Sequence, residues 1–184
     1  MKTKEFNQNI TIFERIVMFI IVFNIPLIFV LSGYIKNKFS WENVNSLLLV
    51  SQAYFIIIIL ILIFQLILNK PYLALLMGCH QKHNRSFAGD FLGICARCTG
   101  ILLGMLIIEF ISYFEFPRLY LLLGITPLLV DGLIQRFTTY KSNNLRRVVT
   151  GIFFGPALIL ITSYFYLYSG KLITYLAQIV ASKV

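Results

Sequence analysis

The chain has 184 residues, of which 59% are hydrophobic and only 12% charged, with a formal net charge of +9. A mean hydropathy of +0.84 and so few charges exclude an ordinary soluble domain, in which about 25% of residues are charged. The basic excess fits membrane loops rich in Lys and Arg better than a nucleic-acid surface, so nucleic acid is not an expected partner.

Several apolar runs reach the ~20 residues that cross a bilayer core, which predicts an all-α, polytopic membrane helix bundle with about five spans. The whole of 1–184 reads as a single membrane domain: two N-terminal spans within 1–70, a motif-bearing core over 71–168 and an interfacial tail over 169–184. The first span covers about 12–35, with Pro26 as a tolerated kink. Its apolar segment exceeds a signal-peptide core and no small-x-small site follows, so an uncleaved helix is expected. The second span covers about 47–68 and includes "AYFIIIILILIFQLIL".

"NKPYLALLMGC", 69–79, is too short to cross and predicts an interfacial or re-entrant helix. The third span runs from about Ile94 to Phe114, the fourth over 118–138 and the fifth over 148–168. Residues 171–182 are again too short to span and predict an interfacial tail helix. Gly100/Gly104 and Gly151/Gly155 repeat small residues at a spacing that permits close helix approach. They are read as packing positions rather than as a dimer motif.

With five spans, eleven of the sixteen Lys and Arg residues fall on the side of the N-terminus, the 69–97 segment and the 137–147 loop. The positive-inside rule makes that side cytoplasmic in a multi-pass protein of the cell membrane. Membrane lipids are then the surrounding partners; the oligomeric state is not encoded in any feature of the chain.

All three cysteines and both histidines lie within "GCHQKHNRSFAGDFLGICARCTG", residues 78–100. Thiolate and imidazole are the preferred ligands of zinc and other borderline or soft divalent metals. Cys79, His80, Cys95 and Cys98 form the candidate metal set, with His83 as an auxiliary group. Two readings stay open beside it: redox-active thiols at the CxxC, and cysteines that serve as small apolar side chains. A c-type haem is not expected, because Thr99 stands where CxxCH needs histidine.

Asp131 lies inside the fourth span, and an ionisable residue there is by default a functional candidate. Gln135, one helical turn later, shares its face. With Arg97 these form the candidate catalytic group; a buried Asp–Arg pair that only fixes packing is the alternative. "KSNNLRRVVTG" adds Asn144, Arg146, Arg147 and Thr150 at a helix start, which with Arg85 suits a phosphate or carboxylate. Anionic lipid headgroups would satisfy the same residues.

The runs "CHQKHNRSFAGDFLGICARCTGILLG", "PLLVDGLIQ" and "SNNLRRVVTGIFFG" resemble a prokaryotic membrane-protein family, domain of unknown function 2085. Its pattern of Cys-His-Gln, Arg-Ser-Phe, Cys-x-Arg-Cys-Thr-Gly, Asp-Gly-x-x-Gln and Asn-x-x-Arg-x-x-Thr-Gly is matched across residues 78–155. The resemblance groups Cys79, His80, Arg85, Cys95, Arg97, Cys98, Asp131, Gln135, Asn144, Arg147 and Thr150; His83 is outside the pattern. It implies no particular reaction. The functional expectation is a metal-dependent enzyme acting on an anionic amphiphile such as a phospholipid or isoprenoid phosphate. Metal handling, a thiol–disulfide or quinone-linked oxidoreductase, and a structural-zinc scaffold are the alternatives.

Overall fold

A computed structural model describes residues 10–41, 44–77, 79, 92–111, 119–140 and 142–182. Six helices follow in order: α1 (Ile12–Lys36), α2 (Ser46–Leu68), α3 (Tyr72–Leu76), α4 (Ala96–Ile111), α5 (Leu119–Phe137) and α6 (Asn144–Ala181). The all-α expectation holds among the described residues. Three of these helices, α1, α2 and α6, are long and apolar enough to cross a membrane.

Local chemistry sets the helix ends. Thr11 and Glu14 close a capping box at the start of α1, satisfying two backbone donors that the helix cannot pair internally. Asn45 caps α2 by accepting from the Leu48 amide, and Asn69, in the left-handed region at φ 52°, ends it. Asn143 caps α6 through the Arg146 amide.

The short helix expected before the cysteine motif is present as α3, five residues long. The C-terminal part differs from expectation. α6 begins at Asn144 rather than near 148 and continues unbroken through 169–181, so no separate helix starts at 171. "SYFYLYSGKLITY" reads as a span end because polarity rises at Ser169, Gly170 and Lys171. Yet Gly170 costs only about 1 kcal/mol within a helix and admits the Trp41 ring, which its missing side chain leaves room for. Trp41 also donates through Nε1 to Thr174 Oγ1 at 3.3 Å. At 38 residues α6 is about 57 Å long, nearly twice the ~30 Å of a bilayer's hydrocarbon core.

α4 and α6 make the most extensive contact. A Cβ on Gly100 would collide with the Val148 backbone, and one on Gly151 with the Arg97 carbonyl and the Ile101 amide. Gly104 and Gly155 interlock a turn further on. Both helices advance in the same direction along this seam, so they are parallel and their N-termini meet at one end. The Ile152 carbonyl faces Gly104. Its usual donor four residues on is Pro156, which has no N–H. The glycine approach gives that orphaned carbonyl packed Cα–H neighbours. The glycine pairs therefore pack within one chain.

α5 lies antiparallel beside α6, with Gly124 against Phe153 and Ala157. On the other flank α2 contributes a buried face of Ile57, Ile58 and Ile61. α1 reaches α6 through Phe23, in edge contact with Phe165 and Tyr166, and the Tyr166 hydroxyl donates to the Val22 carbonyl at 3.3 Å.

Candidate functional site

The start of α4 arranges two thiols. The Thr99 amide donates to the Cys95 carbonyl at 2.9 Å, the first helical bond, so Cys95 holds the N-cap position and Cys98 is the third helical residue. Those two positions face each other in a capping box, and here they bring Sγ of Cys95 to 3.5 Å from Sγ of Cys98. Gly93, at φ 63°, supplies the left-handed turn that delivers the chain to Cys95.

Cys79 arrives from the other side. Its amide donates to the Ala74 carbonyl at 2.8 Å, a six-to-one bond that ties Cys79 back onto the end of α3. The Cys95 amide then donates to Cys79 Sγ at 3.2 Å. All three sulfurs lie within 4.8 Å of one another, and all three are free thiols. Four thiolates or imidazoles around zinc at ~2.3 Å place neighbouring sulfurs about 3.8 Å apart. The cluster has that scale, far above the ~2.05 Å of a disulfide. The residues present fit a metal. His80, expected as the fourth ligand, lies outside the described residues, as do His83 and Arg85.

Arg97 lies between the two cysteines in sequence and turns away from them toward α5. Its Nη2 is 2.5 Å from Oδ2 of Asp131, and Gln135 Nε2 donates to the same oxygen at 2.6 Å and to the Asp131 carbonyl at 3.1 Å. Asp131 is buried, while a third of the Arg97 side chain remains exposed. The structure thus brings together the three residues singled out as a catalytic group, as a closed ion pair with an amide prop. Thiol cluster and ion pair share one helical turn.

The remaining candidates divide. Asn144 begins α6, one residue after the Asn143 cap. Arg146 is exposed and folds over the preceding loop, bonding the Tyr140 hydroxyl and covering its ring at 5.6 Å. Arg147, one position on, is buried in the bundle. Thr150 bonds locally to the Arg147 carbonyl at 3.1 Å. Adjacent arginines therefore serve opposite faces. The parallel N-termini of α4 and α6 put two positive helix-dipole ends at this site.

One polar residue at the site was missed. Gln65, 1% exposed on α2, accepts from the Leu73 amide at 3.0 Å and donates to the Leu92 carbonyl at 3.1 Å. Its signal was available: Gln65 is the sole strongly polar residue in "AYFIIIILILIFQLIL".

Spanning helices, an all-helical bundle and a three-cysteine cluster at one end define a membrane protein with a candidate metal centre. The chain belongs to the family described as predicted membrane protein, domain of unknown function 2085, whose pattern matches residues 79–161. It is 39% identical over 87 residues to an uncharacterized protein of Methanocaldococcus jannaschii, covering 42% of this chain and 56% of that protein. It is 37% identical over 93 residues to an uncharacterized protein of Methanothermobacter thermautotrophicus, covering 46% of this chain and 83% of that one. No solved structure matches it significantly.

Proposed function

We propose that Cys79, Cys95 and Cys98, with His80 as fourth ligand, hold a zinc-like ion at the cytoplasmic face of the cell membrane, within a bundle of about five spans. The observation that supports this most is the meeting of three sulfurs from two separate stretches of chain. Bulk hydrophobic packing does not require that. Among the described residues, the end that carries the cluster also carries Arg15, Lys70, Arg97, Arg136, Arg146 and Arg147, whereas the opposite end has Lys36, Lys38 and Lys171; this bias supports a cytoplasmic orientation.

The activity we propose is metal-dependent catalysis on an anionic amphiphile, a phospholipid or isoprenoid phosphate, at this face. A metal held there would supply Lewis acidity toward a substrate oxygen. The chain's own part is electrostatic: Arg97 offers its exposed edge, and Arg146 can leave Tyr140 to bind an anion. Asp131 fixes the Arg97 guanidinium and balances its charge, and Gln135 holds the Asp131 carboxylate in place. The closed Arg97–Asp131–Gln135 set favours a second reading, in which zinc and ion pair together pin the start of α4 to its neighbours in a scaffold protein.

Elemental analysis of purified protein tests the centre. About one zinc-like ion per chain is expected, and Cys95→Ser should remove nearly all of it. Metal-free wild-type protein with three freely alkylated thiols would sink the proposal. In intact cells the cysteines should escape an impermeant maleimide and label only after lysis with a metal chelator; labelling from outside with the chelator present would reverse the orientation.

A further inference from the structure

The thiol cluster is reached by two stretches of chain, and both are tied to one side chain that belongs to neither. α3 is too short to persist alone, since five residues cannot repay helix nucleation. Its N-cap residue is Pro71, which makes no side-chain capping bond. The Leu73 amide in its first turn would therefore be an orphan donor, buried beside a 0% exposed leucine side chain. Gln65 Oε1 takes that amide, acting as a cap supplied by another helix. The Gln65 Nε2 hydrogens then face the Leu92 carbonyl, three residues before Cys95. A flipped amide would oppose donor to donor and acceptor to acceptor, so the two bonds fix one orientation together.

We infer that Gln65 is a positioning residue for the thiol cluster, a buried amide that holds the approach to Cys79 and the approach to Cys95 at a set separation. In so apolar a surround each bond is costly to break, because neither backbone group has water to turn to. The consequence reaches past the matched segment. Residues 79–161 carry the cysteines, but α2, outside it, sets the distance between them. The inference rests on reading the sulfurs as a metal centre, where groups that orient ligands commonly change affinity 10- to 100-fold.

The test uses the full chain in detergent. Gln65→Met keeps the volume and removes both hydrogen bonds. Ile58→Val, two turns earlier on the same buried face, loosens packing without touching either approach. Competition titration with cobalt should show Gln65→Met binding about 10- to 100-fold more weakly, with a shifted thiolate-to-cobalt absorption band, while Ile58→Val binds as wild type does. Equal affinity and spectrum for Gln65→Met and wild type, or equal weakening in Ile58→Val, overturns the inference. A second probe separates it from the metal reading. In reduced protein three thiols displace the three hydroxides of arsenous acid as three waters, a capture that needs all three sulfurs together. If wild type binds no cobalt, the metal reading fails. Slower arsenous acid capture by Gln65→Met would then still support the positioning role, and equal capture would refute it.

Discussion

The bundle packs its helices in two ways, and the site lies on the border between them. α1 and α2 meet through side chains: a Cβ on Gly33 would touch the flexible end of Leu49. α4 and α6 meet backbone to backbone: a Cβ on Gly100 or Gly151 would strike main-chain atoms that cannot rotate away. In lipid, apolar side chains gain little by leaving hydrocarbon for a protein interior, so close approach and internal polar bonds carry association. The glycine seam provides the closest approach, and it is the seam that locates Cys95, Cys98 and Arg97. The N-terminal pair packs through apolar side chains and reaches the approaches to the site through polar ones, Gln65 toward Leu92 and the Glu14 carboxylate that receives Lys70 and Tyr72 at the start of α3.

The contrast can be broken at three places. The largest effect is expected from Gly151→Ala, where a single methyl must displace the Arg97 carbonyl and the Ile101 amide. A loss of about 3 kcal/mol, the upper range for overpacking, should appear as a much lower unfolding midpoint in detergent, with release of any bound metal. Tolerance of that methyl would show the seam to be looser than its geometry. Asp131→Asn comes next. It keeps shape but leaves Arg97 without its counter-charge, and the partly exposed guanidinium limits the loss to about 1–3 kcal/mol. Metal content near wild type with abolished function would place Asp131 in the chemistry; lost metal or folding would make it a packing partner. The smallest change belongs to Gly33→Ala, expected within about 1 kcal/mol of wild type, since Leu49 can rotate and alanine favours the helix. If Gly33→Ala proved as damaging as Gly151→Ala, the two packing modes would be one.

Residue chemistry made the site more legible than the helix ends. The crowding of cysteines into 79–98 pointed to a cluster because no apolar-core role demands three thiols there, and the three do converge. The four-residue step from Asp131 to Gln135 predicted a shared face, and one amide bond confirms it. The partner of Arg97 was foreseen only as an alternative, because charge pairing across helices is invisible to spacing within one helix. The far end of α6 was misread for a different reason. Ser169, Gly170 and Lys171 are local signals of termination, and Trp41, more than a hundred residues earlier, fills the gap that Gly170 leaves. Gln65 was passed over because one amide in an isoleucine run carries no pattern; only the fold reveals that its two bonds join separate stretches.

The uninterrupted length of α6 has a consequence for how the protein sits in its membrane. Transmembrane helices incline by up to about 40° from the bilayer normal. At that limit a 57 Å rod still projects about 44 Å along the normal, the full depth of a bilayer with its headgroups. Inclination alone therefore cannot hide α6 in hydrocarbon. Its far portion, where Leu172, Ile173, Tyr175 and Leu176 are exposed, must meet the headgroup layer or local thickening of the lipid. The near end of the same helix is packed through Gly151 and Gly155 against α4, so one continuous helix joins that far portion to the element that carries Cys98.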